Sequence, residues 1–220
     1  MAQSIDLRIF QLLTARLCHD LVGPVGAASN GAELLNELGG EESGDVVELI
    51  ADSTLKATNR LRYYRVAYGL ADGVVNTAED ARGLASAMFS DQRFSLDWPA
   101  EPSGLPAGSA RLADSVGKLL LNMLLLAAEA MGREGTLTVK VEAGAGGTSL
   151  DILGHGPDVA LDPETLAGLG ATASVEALTP RSVQGYFTAR LAEYLGAALA
   201  VEPRDQAVRI SCTLASGPPS

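Results

Sequence analysis

Cysteine and histidine are scarce, with two of each in 220 residues. Cys18 and Cys212 cannot build a disulfide framework, and neither belongs to a CxxC pair of the kind that holds zinc. His19 and His155 are too few for a histidine-built metal site. Basic charge is also in deficit: 16 Lys and Arg stand against 27 Asp and Glu, a net charge of −11. That balance excludes a surface for wrapping nucleic acid or for binding an anionic membrane, since both need clustered cations. Long apolar runs are missing as well. The longest, Leu119 to Ala128, is interrupted by Asn122 and ended by Glu129. It falls short of the roughly 20 residues a membrane span needs. Near the start, Asp6 and Arg8 stand where a signal peptide would carry its apolar core. The expectation is a reduced, soluble, cytoplasmic protein.

What is present is an ordinary globular composition, 47% hydrophobic and 20% charged. Residues 5 to about 38 have helical periodicity, with Phe10, Leu13, Leu17, Leu21, Pro24, Ala28 and Leu35 in one stripe. Ser4 is a plausible N-cap, and Gly39-Gly40 a stop. A second helix is expected from about Asp45 to Tyr68, with Val46, Leu49, Ile50, Ser53, Ala57, Leu61, Tyr64 and Tyr68 on one side, ended by Gly69 to Gly73. Two such helices form an antiparallel hairpin. A lone hairpin buries too little apolar surface, so a second copy is expected to complete a four-helix bundle, making a homodimer.

Beyond Gly73 the pattern changes to α+β. Strands are expected at 94–98, 136–142, 148–153, 198–202 and 208–214, and helices at 111–131 and 182–195. Glu101 to Ser109 reads as a loop, and the Gly-Pro-Pro-Ser end as a frayed tail. The division is 1–73 for the hairpin and 74–220 for a sheet covered by helices.

His19 stands out because it lies opposite the apolar stripe, among the mostly small residues Ala15, Val22, Gly23, Gly26, Ala27 and Asn30. Another domain could reach its imidazole without collision. Pro24 has no N–H for the carbonyl of Asp20, so a kink is expected just beyond His19. Cys18 and His19 project about 100° apart, which argues against a Cys–His dyad.

The run His19-Asp20-Leu21-Val22-Gly23-Pro24-Val25 resembles the phosphoacceptor box of two-component histidine kinases: His, an acid, Leu, two variable residues, Pro and an aliphatic. Arg16-Leu17-Cys18-His19-Asp20-Leu21-Val22-Gly23-Pro24-Val25-Gly26-Ala27 is similar to the ChpT family, dimeric histidine phosphotransferases of alphaproteobacterial phosphorelays. Ile50-Ala51-Asp52-Ser53 and Arg60-Leu61-Arg62-Tyr63-Tyr64-Arg65-Val66-Ala67-Tyr68-Gly69 support the match. The resemblance runs from about Leu12 to about Leu195.

It implies that 74–220 is a Bergerat-like α/β sandwich, the ATP-binding fold of histidine kinases, with its nucleotide site lost. Asn122 keeps the first Asn of the Asn box, but Leu126 stands where the magnesium-binding Asn would be. Gly154 replaces the adenine-binding Asp, and the second Gly-rich box shrinks to Gln184-Gly185-Tyr186-Phe187. No cofactor is therefore expected on this chain.

The resemblance further implies that His19 accepts a phosphoryl group, with Asp20 orienting the imidazole, although a merely solvated Asp20 is also open. Arg16, Val22, Gly23, Pro24, Gly26, Ala27 and Arg181 are the candidates for docking a receiver domain, which would bring Mg²⁺ with it. Arg16 has two readings: neutralising phosphohistidine, or pairing with Asp20 one turn on. Arg60, Arg62 and Arg65 read as bundle-surface charges. The implied partners are the receiver of an upstream hybrid histidine kinase and downstream response regulators of the CtrA type. An active ATP-dependent kinase and a non-catalytic dimeric scaffold are the alternatives.

Overall fold

A computed structural model describes residues 6–38, 43–69, 74–75, 77–90, 94–99, 110–132, 134–144, 147–170 and 173–215. The expected Ser4 cap, the Gly39-Gly40 stop, Gly73, the 101–109 loop and the 217–220 tail lie outside them.

Helix α1 (Leu7–Leu38) and helix α2 (Gly44–Ala67) pack side by side as the expected hairpin. Asp6 receives the backbone N–H of Arg8 at 2.9 Å and so satisfies one of the free donors at the start of α1. α1 runs on through Pro24. The apolar stripe is only partly covered: Phe10, Leu49 and Leu61 were expected inside but are about half or more exposed within the single chain (62%, 47% and 50%).

Strands β1 (Phe94–Asp97), β2 (Gly135–Gly144), β3 (Gly147–His155), β4 (Ala200–Arg204) and β5 (Ala207–Leu214) form one sheet in the order β1-β2-β3-β5-β4. Only β1 runs parallel to its neighbour. Alternation sends Leu137, Val139, Leu150, Ile152 and Ile210 to one face, against helix α4 (Ala110–Met131). Leu119, Leu120, Leu121, Met123, Leu124 and Leu126 of α4 are wholly buried, because the sheet lies on one side and α2, α3 (Ala78–Met88) and α6 (Val183–Tyr194) crowd the other. The opposite face of the sheet carries Thr138, Lys140, Asp151, Leu153 and Arg209, and α4 does not cover it.

Helix α3 (Ala78–Met88) and the short helix α5 (Pro163–Leu169) have no counterpart in the sequence expectation; helix α6 (Val183–Tyr194) does. α3 is only 11 residues long, and its buried residues are Ala78, Ala81 and Ala85, so it offers no run of large apolar side chains. Its capping box is the legible signal: Thr77 and Asp80 exchange side chain-to-backbone bonds at 3.0 and 3.1 Å. Asp162 followed by Pro163 announces α5 in the same manner.

The two halves are not separated by a gap. Tyr63, Tyr64, Val66 and Ala67, at the end of α2, belong to the same apolar cluster as α4 and the sheet. Tyr63 also donates its hydroxyl to the carbonyl of Leu121 at 2.7 Å.

Candidate functional site

α1 presents His19 as expected, with 86% of its side chain exposed. Val22 beside it is 72% exposed. Gly23 and Gly26 border open space, since a Cβ added to either would meet nothing within 4 Å. Pro24, Gly26 and Ala27 are half-buried. The histidine therefore stands on a broad face without large neighbours.

Asp20 is gripped at three points. Its Oδ1 lies 3.3 Å from Nδ1 of His19, and its Oδ2 accepts the hydroxyl of Tyr64 at 2.6 Å. Its backbone carbonyl, left without an α-helical partner by Pro24, accepts a guanidinium N–H of Arg60. Arg60 is thus half-buried and occupied, which corrects its reading as a plain surface charge. Burial, followed by the charge of Asp20, pushes the Tyr64 phenol well above its ordinary range, so it stays a donor. Sequence reasoning missed the roles of Tyr64 and Arg60. The one available signal was Pro24, whose missing N–H demands another donor for Asp20.

Arg16 does not form the expected ion pair with Asp20. It pairs instead with Glu129 of α4, and its Nη1 donates to the carbonyl of Pro180 at 3.4 Å. Arg8, two turns earlier on α1, donates to the carbonyls of Val175 and Leu178 at 2.9 and 2.7 Å. Together these arginines attach α1 to the 175–180 segment of the second half. Burial alone would lower the Arg16 guanidinium, but Glu129, Tyr68, Asp20 and Tyr64 outweigh it and the net direction is upward. Burial pushes the Glu129 carboxyl up to about 7 against the pull of Arg16.

Arg16, Leu126, Glu129, Thr165 and Arg181 line a cleft of about 270 Å³ between the two halves. Arg181 is 77% exposed at this cleft, with Asp162 3.8 Å away. Two of the expected docking residues, Arg16 and Arg181, are therefore brought together.

The positions likened to kinase boxes in the sequence have other occupations. Leu126 is wholly buried. A Cβ on Gly154 would lie 3.0 Å from the sulfur of Met131, 3.2 Å from its Cγ and 3.3 Å from Val208, so that space is already filled. Asn122 is buried and donates to the carbonyls of Ala67 and Lys118 at 2.7 and 2.9 Å. Its Oδ1 accepts Gln184 Nε2 at 3.0 Å, and Gln184 in turn accepts the Tyr68 hydroxyl at 2.6 Å. Asn122 and Gln184 thus clasp α2, α4 and α6. His155 ends β3, exposed. Among the described residues no three His, Cys, Asp or Glu side chains are grouped to hold a metal, and no helix is long and apolar enough to cross a membrane.

Residues 78–207 match the family model described as the histidine phosphotransferase C-terminal domain. The chain is 35% identical over 192 residues to the protein phosphotransferase ChpT of Brucella abortus (strain 2308), spanning 86% of this chain and 88% of that one. It is 26% identical over 174 residues to the C4-dicarboxylate transport sensor protein DctB of Rhizobium meliloti (strain 1021), but covers only 28% of that protein. A solved bacterial phosphotransferase superposes with a TM-score of 0.78 at 32% identity, over 96% of this chain and 98% of its own. The histidine kinase domain of the blue-light activated histidine kinase EL346 from Erythrobacter litoralis superposes with a TM-score of 0.50 at 13% identity, over 86% and 95% of the two chains. That last likeness is one of fold alone. The helical hairpin and mixed sheet are thus those of a phosphotransferase built on the histidine kinase plan, and the chain belongs to the histidine phosphotransferase family.

Proposed function

We propose that the protein is a phosphorelay carrier that moves phosphoryl groups between receiver-domain aspartates through phospho-His19, with no ATP-dependent step of its own. The observation that carries this reading is the open imidazole of His19 with Nδ1 turned to Asp20. A proton held on Nδ1 leaves the lone pair of Nε2 directed away from Asp20. That lone pair attacks the phosphorus of a receiver's aspartyl phosphate. The N–P bond forms as the P–O bond to the aspartate breaks, and the electron pair leaves on the receiver's carboxylate. The phosphorylated ring keeps its Nδ1 proton and carries a positive charge that Asp20 offsets. The reverse step delivers the group to a second receiver. Such transfers depend mainly on positioning and charge neutralisation. The receiver brings the Mg²⁺ and this chain brings the histidine.

Docking falls to the His19 face with Val22, Gly23, Gly26 and Ala27, and to Arg16 and Arg181 at the cleft beside it, while Pro24 winds to the far side of α1. The partners on this reading are the receiver of a hybrid histidine kinase and response regulators of the CtrA type. A second copy of the chain covers the exposed Leu7, Phe10 and Val25 of α1 and Val47 and Leu61 of α2. By helical winding Leu7 and Val25 lie roughly 120° from His19 and Phe10 roughly 180°, so dimerisation leaves the histidine free.

The residues at the kinase-like site do not fit a magnesium nucleotide. Leu126 offers no ligand atom, Asn122 is already bonded to the protein, and a carboxylate at 154 would have to displace Met131.

The test incubates the protein with an aspartyl-phosphorylated receiver domain and separately with Mg-ATP, following acid-labile, base-stable phosphate. Label from the receiver alone, lost in His19→Ala, is the expected result. Label from ATP would make the chain a kinase. No label from any of several receivers would favour a scaffold.

A further inference from the structure

We infer that Tyr64 and Arg60 of α2 are positioning residues that hold Asp20 in the one orientation in which it fixes the His19 tautomer. This inference rests on the phosphocarrier reading for its purpose, while its geometry stands independently.

Asp20 and His19 are adjacent on a helix, and adjacent side chains do not face each other. An unrestrained carboxylate here would spread over its rotamers and reach Nδ1 only part of the time. The 3.3 Å contact therefore needs an external hold. Tyr64 supplies it by donating to the other carboxylate oxygen at 2.6 Å. The Tyr64 ring is itself immobilised. It stacks on Tyr68 at 5.3 Å, with planes 8° apart, and meets Tyr63 edge-on at 6.3 Å.

Arg60 acts on the backbone of the same residue. Pro24 removes the N–H that would have bonded the Asp20 carbonyl, and Arg60 takes that place. Arg60 and Tyr64 are four apart on α2 and so share one face, one gripping the main chain of Asp20 and the other its side chain. The proline of the phosphoacceptor box thereby opens an anchoring point one residue from the histidine.

Held in this way, the carboxylate accepts the Nδ1 proton, and Nε2 keeps its lone pair. Once Nε2 is phosphorylated, the same contact faces a charged ring and persists.

The test reads the tautomer directly, from ring ¹⁵N shifts and couplings of ¹⁵N-histidine-labelled full-length protein at alkaline pH. Wild type is expected mainly as the Nδ1–H form. Tyr64→Phe is expected to shift His19 towards the Nε2–H form and to slow phosphoryl uptake from the receiver by roughly tenfold. Tyr68→Phe removes a comparable hydroxyl one turn away and should leave the tautomer unchanged. Arg60→Ala should move it in the same direction as Tyr64→Phe, and decides the matter if the latter does not fold. A wild-type tautomer in both Tyr64→Phe and Arg60→Ala would overturn the inference, as would an equal shift in Tyr68→Phe. A tautomer that responds in a protein that takes up no phosphate would sink the carrier reading and leave the clamp standing.

Discussion

Glu129 sets the pH response of the junction between the halves. Its carboxyl is raised from 4.5 to about 7, by burial first, with Asp20 adding to the rise and Arg16 opposing it. A raised carboxyl binds a proton more tightly in the folded chain than in the unfolded one. Stability is then greatest below the unfolded value and declines as pH rises from about 4.5 through about 7. Glu129→Gln should flatten that decline, seen as denaturant midpoints between pH 5 and 7.5 that vary less than in wild type. An unchanged slope would mean that Arg16 holds Glu129 ionised throughout. Such a site is hard to read from sequence because its partners are remote: Arg16 and Glu129 are separated by 113 positions, Asp20 and Tyr64 by 44. His19 and Asp20 stood out in the sequence because they belong to one local run with a proline at a fixed offset. The pairing of Arg16 with Asp20 was misread for the same reason, since helical spacing offers only Asp20 as a partner while Glu129 is remote.

Among the elements, α1 is unusual for carrying a proline in its interior, a placement that costs about 3 kcal/mol in an isolated helix. Arg60 offsets part of this by taking the carbonyl that Pro24 leaves free. The pair should therefore be energetically coupled. Arg60→Ala leaves a half-buried carbonyl unpaired and should cost roughly 1–3 kcal/mol beside Pro24. In a Pro24→Ala background, where the helix supplies its own N–H, the same change should cost about 1 kcal/mol less or better. Urea unfolding of the four proteins in this cycle measures the difference, and additive effects would sever the link. The hairpin, α4, α6 and the strands were readable from periodicity. α3 and α5 were not, because they are short and bury alanine, threonine and glycine in place of large apolar side chains, so Thr77 and Asp162 at their starts are the clearer marks.

For the whole molecule, the shared core and the polar clasp of Tyr68, Gln184 and Asn122 join hairpin and sheet into one cooperative unit. Calorimetry should show a single unfolding transition, and its midpoint should rise with protein concentration if two hairpins complete a bundle. Two resolved transitions would mean that the halves unfold independently, and a concentration-independent midpoint would leave the apolar faces of α1 and α2 without a second copy. This shared core was not visible in the sequence, where the change of pattern after Gly73 gave the division into 1–73 and 74–220. The shift from helical to alternating periodicity marks a change of architecture, while the tyrosines that bridge it lie inside the helical stretch.

The side of the sheet turned away from α4 carries Thr138, Lys140, Asp151, Leu153 and Arg209, and belongs neither to the face of His19 nor to the apolar faces of the hairpin. It gives the molecule a back by which it can be held. A tether on the exposed Lys140 side chain would engage neither of those faces, so the protein can be mounted on a sensor chip with both left uncovered.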